Sequence, residues 1–226
     1  MGFLDKLKEI VEEAQKRAVA SIDTEVFNHP LAKATDWHPL AGGGANFQTH
    51  RLDSSNPDLL VFKCTQGAYW FAGIFCFFGL LGIIIPGAIF ISGGMQEWTL
   101  LLFAVLFGGI FLGVGALMLY FMTMPRVFDT FYGVYYKGRK KPQDSMTLGT
   151  ARDRKKGPVP LTEVEAVQVI RERVSGKNSA YYSYELNLVL ADASRINVID
   201  HGKHAAVIED AETLATALGV PLWDGS

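Results

Sequence analysis

Charged residues are scarce in this sequence. Of 226 residues only 19% are Asp, Glu, Lys or Arg, while 49% are hydrophobic, against roughly 25% charged in an average soluble domain. Lys and Arg number 21 and Asp and Glu 23, a balance too even for a chain that coats nucleic acid or carries an acidic tail. Cysteine is almost absent: Cys64 and Cys76 offer neither metal-ligand spacing nor the paired framework of small secreted domains, and read as packing residues facing a reducing compartment. No long apolar run falls within the first roughly 15 to 30 residues, where a secretory leader would place one. The opening Met-Gly-Phe-Leu-Asp-Lys lacks the Ser or Thr of a myristoylation signal, so no lipid anchor is expected there.

The missing charge is concentrated in one block. From Ala68 to Met124 the only Asp, Glu, Lys or Arg is Glu97, and it divides the block into two apolar runs, each longer than the roughly 20 residues needed to cross a bilayer. Transmembrane helices are expected over residues 68–92 and 98–124, joined by Gly93-Gly94-Met95-Gln96-Glu97, a connection short enough to force an antiparallel hairpin. Arg51 and Lys63 precede the block, Arg126, Lys137, Arg139, Lys140 and Lys141 follow it, and the connection has neither Lys nor Arg. The positive-inside rule then places both termini in the cytoplasm of a bacterial inner membrane, with Tyr69, Trp70 and Tyr120 at one interface and Trp98 at the other.

Residues 1–27 read as an amphipathic helix. Phe3, Leu4, Leu7, Ile10, Val11, Ala14, Ala18 and Val19 form its apolar stripe, opposite a face of mixed charge. Residues 28–67 read as a linker followed by a cytoplasmic β-hairpin. His29-Pro30, His38-Pro39 and Gly42-Gly43-Gly44 break any regular period, and strands over 46–52 and 59–64 flank the turn cluster Asp53-Ser54-Ser55-Asn56-Pro57. The three glycines lack the strand-then-helix context and the following Lys-Ser/Thr of a phosphate loop.

Beyond the block, residues 125–226 read as a β domain with strands over 126–131, 134–137, 164–174, 181–190 and 195–199. In the clearest of them, Tyr182, Tyr184, Leu186, Leu188 and Leu190 fall on one face and Ser183, Glu185 and Asn187 on the other. The segment 162–174 also carries a capping box at Thr162 and Glu165 and would start a helix equally well; its valines favour a strand. A closing helix over 203–218 stops at Gly219 and Pro221, after which Leu222 and Trp223 pack back on the sheet.

Seven strands followed by one helix are the inventory of a pleckstrin-homology-like roll. The fold class expected is therefore an α+β membrane protein, with a two-helix transmembrane hairpin inserted in, or preceding, a PH-like β-roll with a C-terminal helix. The segment Ser183-Tyr184-Glu185-Leu186-Asn187-Leu188-Val189-Leu190, followed by Arg195-Ile196-Asn197-Val198-Ile199-Asp200-His201-Gly202, resembles a signature of bacterial two-helix membrane proteins with cytoplasmic PH-like domains. In layout the chain is also similar to the two-helix photosystem I assembly factor. The resemblance implies scaffolding or assembly, and carries no catalytic residues to transfer.

Candidate chemistry is sparse. Asp200, His201 and His204 offer three ligands from one turn and no fourth, and Asp200 also suits a helix N-cap, so no metal or cofactor is expected. His29, His38 and His50 have no Ser or Cys nucleophile signature beside them. Glu163, Glu165, Glu172 and Glu185 could pair for acid–base work, but strand alternation puts charges at such spacing on any solvated face. An enzyme is not expected.

Two features suggest partners. Lys137, Arg139, Lys140, Lys141, Arg152, Arg154, Lys155 and Lys156 face only Asp144 and Asp153 in the same stretch. Such a juxtamembrane segment sets topology and attracts anionic lipid headgroups or an acidic protein, whereas nucleic acid is not expected because no aromatics interleave the charges. The apolar block is rich in glycine, including Gly108 and the pair Gly109 and Gly113, a GxxxG step that lets helices approach closely. The leading expectation is a non-enzymatic scaffold, assembly or regulatory subunit of a larger membrane complex, bound to other membrane subunits or to itself. The alternatives are a small oligomeric transport or channel subunit and an anionic-lipid sensor.

Overall fold

The computed structural model describes residues 22–94, 96–139, 158–175 and 179–226. The amphipathic segment expected over residues 1–27 lies outside the described residues as far as residue 21. The chain divides into two compact units, Cys64–Met124 and the flanking residues up to Lys63 together with those from Pro125 onward.

The apolar unit consists of helices α2 (Gln66–Ile91) and α3 (Trp98–Met122). Both are long and apolar enough to cross a membrane, with a mean hydropathy of 2.6 over the most apolar window of each. Large side chains such as Trp70, Ile91 and Phe103 are exposed around them, so this surface requires an apolar solvent or a partner. The closest approach of the helices falls at small residues, beside the stacked rings of Phe75 and Phe111 at 6.2 Å. A Cβ on Gly108 would lie 2.7 Å from the Gly79 carbonyl oxygen, and one on Gly115 would lie 2.7 Å from the Cys76 backbone nitrogen. A Cβ on Gly82 would lie 3.3 Å from the Gly108 Cα. Backbones this close leave no room for any side chain.

The second unit is a mixed α and β domain built around two sheets. One has the order β1 (His50–Asp53), β2 (Leu59–Cys64), β3 (Arg126–Asp129), β4 (Val134–Lys137) and β5 (Val159–Pro160). The other has the order β8 (Arg195–His201), β7 (Ala180–Leu190), β6 (Val164–Ser175) and β9 (Leu222–Gly225). Strands β2 and β3 are antiparallel neighbours, Leu60 opposite Phe128 and Phe62 opposite Arg126. The helical unit is therefore an insertion between two paired strands, and the first two strands belong to the same domain as the rest.

Alternation explains the core. Leu186, Leu188 and Leu190 of β7 and Val167 and Val169 of β6 pack with Leu60, Phe62, Phe128 and Tyr135 of the first sheet. The closing helix α4 (His204–Leu218) adds Val207, Ala211, Leu214 and Ala215 to the same cluster. Each fully buried Leu or Phe contributes about 1.5–3 kcal/mol over its exposed state. Gly219 ends α4 at φ 68°, the left-handed cap that glycine adopts without strain.

The segment 162–174 is strand rather than helix: a short 3-10 turn at Leu161–Glu163 precedes β6, whose valines pair in register along β7. Two strands escaped the sequence reading. β5 has two residues, and β9 runs parallel to β6, with Trp223 opposite Gln168.

Candidate functional site

The largest departure from expectation is on the outer face of the second sheet. Ser183, Glu185 and Asn187 are not solvated; each is fully buried. Their cover is the segment read above as a free linker. After a short 3-10 turn (Thr24–Phe27) and the one-turn helix α1 (Pro30–Ala34), residues 36–45 cross the sheet as a strap. Its near end is anchored by apolar packing of Trp37, Ala32, Phe27 and Trp223 with Ala166, Ile170 and Val189, the rings of Phe27 and Trp37 stacking at 5.2 Å. The indole N–H of Trp37 donates to the Ala32 carbonyl at 2.9 Å.

Past Trp37 the strap carries almost no apolar anchor and is held by polar groups of the sheet. The Glu185 carboxylate accepts the backbone N–H of Leu40 at 2.9 Å and of Ala41 at 2.6 Å. Glu172 accepts the Gly43 N–H at 3.0 and 3.1 Å. Arg195 donates to the His38 carbonyl at 2.8 Å and to Asp36 at 3.0 Å, and the Tyr181 hydroxyl donates to the Gly44 carbonyl at 2.7 Å. Glycine is required where the strap meets the sheet, because a Cβ on Gly44 would overlap Asp200 and Ser183.

Three carboxylates thus share one covered face. Asp200 accepts a hydrogen bond from Ser183; burial, reinforced by Glu185 and Glu172, still raises its pKa to about 7. Burial raises Glu172 as well, against the lowering effect of the Gly43 N–H. Desolvation disfavours the charged form of a carboxylate, and like charges add to it. Asp36 lies at the exposed side, where its hydrogen bonds to His38 and the Arg195 guanidinium outweigh desolvation and lower its pKa.

The other candidates separate. Asp200 is on β8 and does not cap α4, whose N-cap is Lys203. His201 is fully buried, its Nδ1 accepting the Lys203 N–H at 3.3 Å, and burial lowers its pKa to about 4. His204 instead meets Ser226 at 2.7 Å and the ring of Tyr184 at 4.6 Å. Among the described residues no group of three His, Cys, Asp or Glu could hold a metal. His29 caps α1, accepting the Leu31 N–H at 3.3 Å; His38 bonds Asp36 at 2.7 Å; His50 meets Arg126 and Thr49. Glu163 ends the 3-10 turn before β6 and Glu165 lies at the start of that strand, far along it from Glu172.

Of the basic segment, Lys137 ends β4 and the exposed Arg139 follows it; Lys140, Lys141, Arg152, Arg154, Lys155 and Lys156 lie outside the described residues. Of the packing glycines, Gly108 is in the contact between α2 and α3, but a Cβ on Gly109 or Gly113 would meet nothing within 4 Å. The GxxxG step is therefore not what joins the two helices: at 100° per residue Gly109 and Gly113 share a face turned away from Gly108 and Gly115.

Sequence reasoning missed the strap. Its signal was the odd-numbered residues of β7, whose mixture of one acid, one amide and one hydroxyl is what both a wet face and a covered polar face carry.

No protein-family model, no curated protein and no solved structure matches this chain.

Proposed function

We propose that this chain is a non-enzymatic scaffold, assembly or regulatory subunit of a larger membrane complex. Its helical unit crosses the bacterial inner membrane as a hairpin, and its β domain is displayed on the cytoplasmic side as a PH-like binding platform. The observation that carries this reading is the hydrogen-bonded pairing of β2 with β3 across the point where the apolar helices enter. Only Thr65 separates β2 from α2, and three residues separate α3 from β3. Two so short connections tie the domain to the membrane at adjacent strands.

Two antiparallel sheets closed by a helix support a PH-like roll, to which the two-residue β5 and the parallel β9 are additions beyond the seven strands of its inventory. Orientation rests on the basic flanks and on a connection without Lys or Arg. The outward face of Gly109 and Gly113 suits the close approach of a further helix, from another subunit or a second copy.

The test is affinity purification of the intact protein from its native membrane in mild detergent, with mass spectrometry and a particle-size measurement. A stoichiometric partner or a defined homo-oligomer is expected. A lone monomer would remove the scaffold reading and move the weight to a lipid sensor.

A further inference from the structure

The β6–β7 hairpin runs on beyond the hydrophobic core. Its inner face is apolar as far as Val169 and Leu186, and the next positions on that face are Arg171 opposite Tyr184 and Arg173 opposite Tyr182. Both arginines are exposed and Tyr182 is half exposed. The Arg171 guanidinium lies 5.1 Å from the centre of the Tyr182 ring, and His204 covers the ring of Tyr184.

Strand alternation has separated the charges. Glu172, Ser183 and Glu185 project to the opposite face, under the strap, while the inner face of the same strand ends carries Arg171, Arg173, Tyr182 and Tyr184, with Ser175 and Ala180 beyond them and no acid among its described residues. Asp224 on the neighbouring β9 is engaged by Ser226 at 2.6 Å. Among the described residues neither Arg171 nor Arg173 has an ion-pair partner.

We propose that this exposed end of the β6–β7 hairpin binds an acidic segment of a protein partner, whose carboxylates pair with the guanidinium groups of Arg171 and Arg173. Guanidinium forks match carboxylates in two parallel hydrogen bonds, and Arg and Tyr are the residues on which protein interfaces concentrate their affinity. Base stacking needs free aromatic faces, and here Arg171 and His204 already cover one on each tyrosine. The inference rests on the scaffold reading and names the chemistry of its partner.

The experiment uses the full chain in an uncharged detergent and a fluorescein-labelled peptide of alternating Glu and Gly as probe, followed by anisotropy. Saturable binding that weakens with added salt is expected, with at least a tenfold loss of affinity in the R171Q/R173Q double variant. A loss in K137Q/R139Q as large as that in R171Q/R173Q would assign the binding to the basic segment that follows β4, and overturns the proposal. An unaltered melting temperature shows that the variants fold. No saturable binding, or binding untouched by R171Q/R173Q, overturns the proposal. So does retention of phosphatidylglycerol-containing micelles through the two arginines without peptide binding, which would make the face a lipid site. If the peptide fails while native purification yields a stoichiometric partner, this inference falls and the scaffold reading stands.

Discussion

Replacing Asp200 by Asn should stabilise the β domain at neutral and alkaline pH, and by less as the pH falls. The folded-state pKa of about 7 lies above the ordinary 3.8, so the native state holds a proton that the unfolded chain has released. Its stabilising contribution is complete below about pH 4 and is lost as the pH rises to 7. At about 1.4 kcal/mol per unit, a fully sequestered group would lose about 4 kcal/mol over that window. Asp200 is only partly buried, and solvent screening reduces this to about 2 kcal/mol. Asn keeps the oxygen that accepts from Ser183 but cannot ionise beside Glu172 and Glu185. D200N is expected to raise the opening free energy of β6–β8 amides, measured by hydrogen exchange in mild detergent, by about 1–2 kcal/mol more at pH 8 than at pH 5. An equal effect at both pH values, or a larger one at pH 5, would refute the reasoning.

Further outcomes follow from close contacts. Gly108→Leu must separate backbones that now touch and should lower the melting temperature in detergent by well over 5 °C, whereas Gly109→Leu and Gly113→Leu should leave it nearly unchanged. Gly202→Ala would put a Cβ 2.6 Å from the Asn46 carbonyl carbon, backbone that cannot swing aside, and should cost about 2 kcal/mol in urea unfolding. Glu185→Gln replaces a carboxylate that takes two backbone N–H groups by a neutral acceptor. The amides of Leu40 and Ala41 should then exchange at least tenfold faster, with β7 little changed.

The two long apolar helices were legible in the sequence because a single Glu among some 57 residues leaves two unbroken apolar runs. The core strands were legible wherever one face is apolar and the other polar, as in β7. What escaped was decided by contacts distant in the chain. Glu185 reaches Leu40 and Ala41 across about 145 residues, and nothing local in Ser183-Tyr184-Glu185 distinguishes a carboxylate meant for water from one meant for backbone N–H groups. In sequence the glycine run at 42–44 marks only a break in regular period, whereas at Gly44 it is the condition for lying flat on Asp200 and Ser183. The same holds in the helices: the GxxxG spacing is visible in sequence, but which glycine faces which helix depends on rotation, and the contact fell to Gly79, Gly108 and Gly115 instead.

The central claim, a hairpin that crosses a membrane and returns the chain to the side it left, is tested most directly by labelling single cysteines. With Cys64 and Cys76 replaced by Ala, cysteine is placed at Asp58, Gly94 or Ser226 and exposed to a membrane-impermeant maleimide on intact bacterial spheroplasts. Gly94→Cys is expected to label at once, and Asp58→Cys and Ser226→Cys only after permeabilisation. Labelling of all three from the same side, or release of the protein from membranes by alkaline carbonate, would contradict it.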